Sequence, residues 1–342
     1  MSPPPAWDDL NARSRGLAAH LLTPSQLDAL SRTADLQALA QDLRRLGFTI
    51  EEDADQATPA ALELAVRRWA ADFTAVLARW AGPRAEPLAV LFEEEDRRSL
   101  RAILRGAVQG VAAEQRLAGL IPTPALPERA LGELARQPTP ATVATLLVAW
   151  RNPYGSPILA TAAAAHPDLA QLERILARTF AARILRTTRR AGGVLRAFSA
   201  ETIDLENVAA ALVLCTETKD LLPKQAFLPG GARVLIQDFE EAVAGGEPGA
   251  AARRLAQAFG RTRYADVLRR HASSPTVLEE ALLAARIARL RRLQRLSPLG
   301  VVPVLLSFLR LRAQVLDLQR IIWGVALGAP PGVVAEGLVS AQ

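Results

Sequence analysis

Apolar positions recur along this chain with the spacing of helices. Leu36, Leu39, Leu43 and Leu46 share one helical face, and Gly47 follows as a stop. Leu283, Ile287, Leu290 and Leu293 make a second stripe in the segment 274–298, which its ends also predict to be a helix. Ser274 stands at the cap and Pro275 at the first position, with Glu279 and Glu280 toward the positive end. Arg291, Arg292 and Arg295 stand toward the negative end, and Pro298 stops the segment. Thr23-Pro24-Ser25-Gln26 carries the residues of a capping box. Alternating β-branched runs are nearly absent, Val234-Leu235-Ile236 being the one short candidate strand. An all-α protein is expected, with roughly 15–20 helices of about 12 residues each.

The helical signals recur in order. Leu62-Glu63, Leu172-Glu173 and Leu278-Glu279 each open a long amphipathic segment, their glutamates 110 and 106 residues apart. Each is followed by a second mark: DRRSLRAILRG from Asp96, DLENVAAALVL from Asp204 and QVLDLQRIIWG from Gln314. Within these strings Ser99, Asn207 and Asp317 come three residues later and precede an apolar stripe that includes Leu104 and Leu212. A turn precedes each unit, at Thr23-Pro24, Leu126-Pro127 and Leu228-Pro229-Gly230-Gly231. Three copies of one unit are expected, over 1–125, 126–228 and 229–342, arranged about a pseudo-threefold axis.

Length supports repetition, since 342 residues exceed the roughly 250–300 at which a single core stops growing. The net charge of +6 sets 41 bases against 35 acids, nearly all the bases being arginine, and this modest excess is no nucleic-acid signature. Cys215 is the sole cysteine and the three histidines lie far apart, which excludes a disulfide framework and cysteine-based metal sites. The opening MSPPPAWDDL is acidic and proline-rich, unlike a secretory signal. The longest clean apolar stretches, 141–150 and 208–215, are about half of the 18 or so residues of a membrane span. A soluble cytoplasmic chain is the expectation.

Catalytic and nucleotide motifs are missing: no P-loop, no dinucleotide fingerprint, no Gly-x-Ser-x-Gly elbow and no His-Glu-x-x-His. No cofactor and no metal site are expected. The acidic groups Glu51-Glu52-Asp53 and Glu93-Glu94-Glu95-Asp96 read as a solvated loop and a helix N-terminus. The Arg-rich segments 174–196 and 286–295 read as solvated faces or contacts for acidic protein surfaces, with Phe180 on the apolar stripe of Leu172, Ile175 and Leu176. Gly230-Gly231 reads as a helix-to-helix turn, with close approach of a ligand as the alternative. Trp323 reads as core packing, with an interface anchor as the alternative. Asn207, inside a helix, either bonds internally to a neighbouring element or lines an interface.

At these residues the chain resembles the C subunits of the archaeal and bacterial V/A-type ATP synthases, the counterparts of the d subunits in eukaryotic vacuolar ATPases. The likeness rests on the opening SRGLAAHLLTPSQLDAL, the Leu-Glu starts, the Asp-x-x-Asn-Leu type segments, the LPGG turn and the ending LDLQRIIWGVALGAPPGVVAEGL. It departs where Ser99 and Asp317 stand for the family's Asn and Gln314 for its acidic residue. The resemblance implies three related helical domains forming a funnel around a central cavity. It implies a non-catalytic central-stalk adaptor on the cytoplasmic face of the membrane, peripheral through the rotor ring. The implied partners are the proteolipid subunits of that ring and the shaft subunits, with the membrane stator as a further contact and neither nucleic acid nor nucleotide bound.

The candidate structural or partner-contact residues are Asp96, Ser99, Leu104, Asp204, Asn207, Leu212, Gln314, Asp317 and Trp323. The helix beginning at Asp204 and its relatives at Asp96 and Gln314 are expected to form the inner walls. The competing readings are an all-helical interaction scaffold of other purpose and, third, a nucleic-acid binder, whose mark would be a steep loss of binding with salt.

Overall fold

The structure, a computed structural model, describes residues 7–51, 57–215, 222–272 and 274–341. Among the described residues there are α-helices and short 3-10 turns and no strand, so the protein is all-α. Three short helices come first: α1 (Asp8–Ala19), α2 (Pro24–Ser31) and α3 (Leu36–Arg45). Two long ones follow, α4 (Pro59–Ala81) and α5 (Ala85–Gln109), and then the single turn α6 (Ala113–Arg116). The order repeats as α7 (Glu128–Ala135), α8 (Pro140–Ala149) and α9 (Gly155–Ala162) before the long α10 (Leu169–Thr188) and α11 (Gly193–Leu214). After α12 (Pro223–Ala226) come α13 (Ile236–Ala244), α14 (Pro248–Ala258) and α15 (Arg263–His271). The long α16 (Pro275–Leu296) and α17 (Val302–Ala326) follow, and α18 (Pro331–Glu336) lies near the end.

Local chemistry starts these helices where the sequence placed the signals. Thr23 accepts from the Gln26 N–H while the Gln26 side chain accepts from the Thr23 N–H, completing the capping box ahead of Pro24. Thr58 and Thr139 likewise cap helices whose first residue is proline. Ser274 stands at the expected cap but makes no side-chain cap bond, so Pro275 alone marks that start. Val234-Leu235-Ile236 is not a strand: Val234 lies in a tethered turn and Ile236 opens α13.

Side-chain contacts fix the direction of the long helices. Trp323 near the end of α17 meets Glu63 near the start of α4, and Arg105 late in α5 meets Glu173 early in α10, so both pairs run antiparallel. Phe92 packs on Phe308 and Glu95 faces Arg312, so α5 and α17 run parallel. The turns at 82–84, 189–192 and 297–301 therefore share one end of the molecule. At that end Asp9 of α1 pairs with Arg84, while Asn11 Nδ2 donates to the carbonyls of Pro298 (2.7 Å) and Gly300 (3.0 Å).

Two apolar clusters fill the interior. The larger runs from α1 to α11 and takes in α17, with Leu62, Leu104, Leu172, Phe180 and Ile322 in it. The smaller joins the second half of α11 to α13, α14, α15 and α16, around Leu212, Phe239 and Phe259.

Candidate functional site

Asp96, Asp204 and Gln314 do not begin helices. Each lies near the middle of α5, α11 or α17, because those helices start far upstream, at Ala85, Gly193 and Val302. Mid-helix placement gives these polar side chains reach over neighbouring loops, and the structure uses it to tie down the lead-in turns. Leu22 N–H donates to Gln314 Oε1 at 3.0 Å, and Gln314 Nε2 donates back to the Leu22 carbonyl. Leu228 N–H donates to Asn207 Oδ1 at 2.8 Å, and Asn207 Nδ2 donates back to the Leu228 carbonyl at 2.9 Å. The third lead-in turn is held through a relay: Leu126 N–H donates to Thr123 Oγ1 at 3.0 Å, and that hydroxyl donates to Asp96. Both peptide groups of Leu22 and of Leu228 would otherwise count as costly buried orphans. The alternatives left open for Asn207 thus resolve to an internal bond.

The remaining carboxylates hold backbone as well. Asp204 accepts from the N–H groups of Ala232 and Arg233 at 3.1 Å and of Val234 at 3.0 Å. A Cβ at Gly231 would collide with Asp204 Oδ1, so the second glycine of the LPGG turn exists to let this carboxylate close in. The glycine pair is a turn whose close approach is to a side chain of the same protein. Asp317 accepts from Val339 at 2.6 Å and Ser340 at 3.0 Å, fastening the C-terminal segment. Burial pushes both carboxyls above their ordinary value, against the pull of these backbone donors.

The group Glu93-Glu94-Glu95-Asp96 is neither a helix N-terminus nor solvated. It occupies mid-α5 with all four residues buried, because α10, α11, α16, α17 and the turn before α9 face this stretch and supply partners to it or to the adjoining Arg97 and Arg98. Glu93 accepts from Tyr154 Oη at 2.6 Å and from Arg183 Nε at 2.7 Å. Glu94 accepts from Arg286 at 2.9 Å and Arg98 at 3.0 Å, and Arg286 also donates to Thr202 at 2.9 Å. Arg97 pairs with Glu206 and lies over the Phe180 ring, and Arg98 pairs with Glu279. Burial raises the Glu94 pKa, but Arg286 and Arg98 outweigh it and hold the carboxyl at about 2. Asp96 behaves oppositely: burial, with Glu93 and Glu95 nearby, outweighs the Thr123 bond and pushes it up to about 8.

These pairs also correct the reading of the Arg-rich segments. Arg183 and Arg286 point inward to Glu93 and Glu94, and Arg289 reaches Glu201 at 2.5 Å. The signal was present in the sequence as single arginines set in apolar runs, Ala-Ala-Arg-Ile at both 181–184 and 284–287. An uncompensated guanidinium in such a run requires a buried carboxylate. Glu51 forms an exposed pair with Arg68, whereas Glu52 and Asp53 lie outside the described residues.

Ser99 is buried, and Leu104 and Leu212 belong to the larger and the smaller apolar cluster. Trp323 is not core: it is 39% exposed, and its indole Nε1–H donates to Glu63 at 2.7 Å. An indole needs a polar partner, and α17 emerges from its neighbours at this turn, so the ring stands at the surface. Among the described residues no cluster of metal-ligating side chains occurs, and no helix is long and apolar enough to cross a membrane.

The polar groups that the sequence singled out are thus joints between helices and turns, spread over nearly the whole chain. The family described as ATP synthase (C/AC39) subunit matches residues 10–336, the span these joints tie together. The chain belongs to this family. No curated protein matches it. C/AC39 proteins are structural subunits of V/A-type rotary ATPases, and membership associates the chain with such a membrane-bound complex.

Proposed function

We propose that this C/AC39 protein is the non-catalytic adaptor of the central stalk, seated on the cytoplasmic face of the proteolipid rotor ring and receiving the shaft subunits. ATP synthesis or hydrolysis would thereby be linked to ion transport. The observation that carries the proposal is the family match over 10–336. In this reading the chain has three units, 1–125, 126–228 and 229–342, with α4–α5, α10–α11 and α16–α17 as the walls of a funnel around a central cavity.

The joints suit such a part. A rotating adaptor must transmit torque without shearing between its units, and densely packed interiors transmit strain. α5 carries the tether to the lead-in turn of the second unit, α11 to that of the third, and α17 to that of the first, which closes the series on itself. The buried pairs around Glu93–Arg98 add resistance to sliding, because any displacement strands charges away from water.

The test is to tag the chain in its host, solubilise membranes in mild detergent and identify what co-purifies in stoichiometric amount. An ATPase head together with a small hydrophobic ring protein supports the adaptor. Recovery of the chain alone, from membranes whose ATPase is intact, overturns it and favours a scaffold of other purpose.

A further inference from the structure

Between Glu280 and Asp317 the chain carries seven arginines and no acidic residue. Several of the seven turn inward to carboxylates, as Arg286, Arg289 and Arg312 do, but Arg291 and Arg310 pair with no carboxylate among the described residues. Arg310 is half-buried on α17, and it lines a cavity of about 230 Å³ between α1, α16 and α17 together with Arg15, Gln294, Ser307, Pro303 and Leu306. None of the lining residues is acidic. Burial and the Arg291 charge both push the Arg310 guanidinium below its ordinary value, so the site concentrates positive charge that nothing within it neutralises.

Arg15 is set in place. Its Nε donates to Asn11 Oδ1 at 2.8 Å and its Nη2 to the Pro298 carbonyl at 2.7 Å, which leaves further guanidinium donors unused. The size of the cavity admits a tetrahedral oxyanion with several waters at about 30 Å³ each.

We propose that this cavity is a binding site for a phosphate group, held by Arg15 and Arg310. Guanidinium forks match phosphate oxygens in pairs, and Arg binds them in preference to more weakly matched anions. The source of the phosphate is either a free phosphate or a phospholipid headgroup. Leu296 and Leu299 stand 77% and 69% exposed beside the Pro298 that Arg15 grips, an arrangement suited to acyl chains next to a headgroup. The site is independent of the adaptor reading and is tested on the isolated full chain.

Inorganic phosphate is titrated into the full chain at low ionic strength by calorimetry, and the chain is co-sedimented with phosphatidylglycerol or phosphatidylcholine vesicles. The same is done with Arg310→Gln and Arg15→Gln, and with Arg190→Gln, an exposed arginine at the same end but outside the cavity. Saturable phosphate binding that weakens about tenfold or more in the two cavity variants and persists in Arg190→Gln supports a free-phosphate site. Binding only to phosphatidylglycerol vesicles, with the same variant pattern, supports the headgroup. Each cavity variant is checked for a wild-type melting transition, and either one that folds suffices. No binding of either probe, or equal weakening in all three variants, overturns the site.

Discussion

Gln314 grips Leu22 by both peptide groups, accepting from its N–H at 3.0 Å and donating to its carbonyl, although 292 residues separate them. Asn207 does the same to Leu228. The side-chain amide is what makes the grip two-sided: a carboxylate accepts but cannot donate, whereas an amide satisfies both backbone polar groups of one residue.

Gln314→Ala strands the buried N–H and C=O of Leu22 together, each worth about 1–3 kcal/mol. The variant is expected to lose about 2–5 kcal/mol in urea unfolding and to release α2 to proteolysis first. A loss within experimental error would show that the tether does not carry load.

Glu94 neutralises Arg286 and Arg98 in the interior. Glu94→Gln leaves both guanidinium groups short of a partner and is expected to cost about 3–5 kcal/mol. The carboxyl is held at about 2 against an ordinary value of 4.5, so its contribution is complete above pH 4.5 and is lost as pH falls through about 2. Unfolding midpoints across that window should fall in the wild type and change less in the variant.

Asp96 has the opposite sign. Its folded value of about 8 exceeds the ordinary 3.8, so the stability it contributes is complete below pH 3.8 and is lost as pH rises through about 8. Asp96→Asn keeps an acceptor for Thr123 without a titrating charge. Its stability relative to wild type is expected to grow steadily across that interval, and a constant difference at both edges of the interval would refute the assignment.

The inward-facing apolar positions were legible, because helical periodicity reports burial directly: Leu62, Leu172, Leu39, Leu43 and Phe180 are all fully buried. Capping chemistry was legible for the same local reason at Thr23 and Pro24. The ion pairs of α5 were not. A run of four acids looks solvated unless one knows what faces α5 in the folded chain, and that is a property of the neighbouring helices and turns. Trp323 misled in the reverse direction, since an aromatic in an apolar string reads as core while its exposure depends on where α17 leaves its neighbours.

Leu104 and Leu212 separate the two apolar clusters experimentally. Alanine at either is expected to cost about 2–5 kcal/mol, with Leu104→Ala the larger because it is the more deeply buried. A much smaller loss, accompanied by failure to co-purify with partners, would make the position an interface residue.

The central claim, that this chain couples rotor to shaft, is tested most directly by ATP-driven ion uptake in membrane vesicles depleted of the chain and then supplied with it. Depletion is expected to abolish uptake while the ATPase head still hydrolyses ATP, the wild-type chain to restore uptake, and Gln314→Ala to restore less. Uptake that persists undiminished after complete depletion would contradict the coupling role.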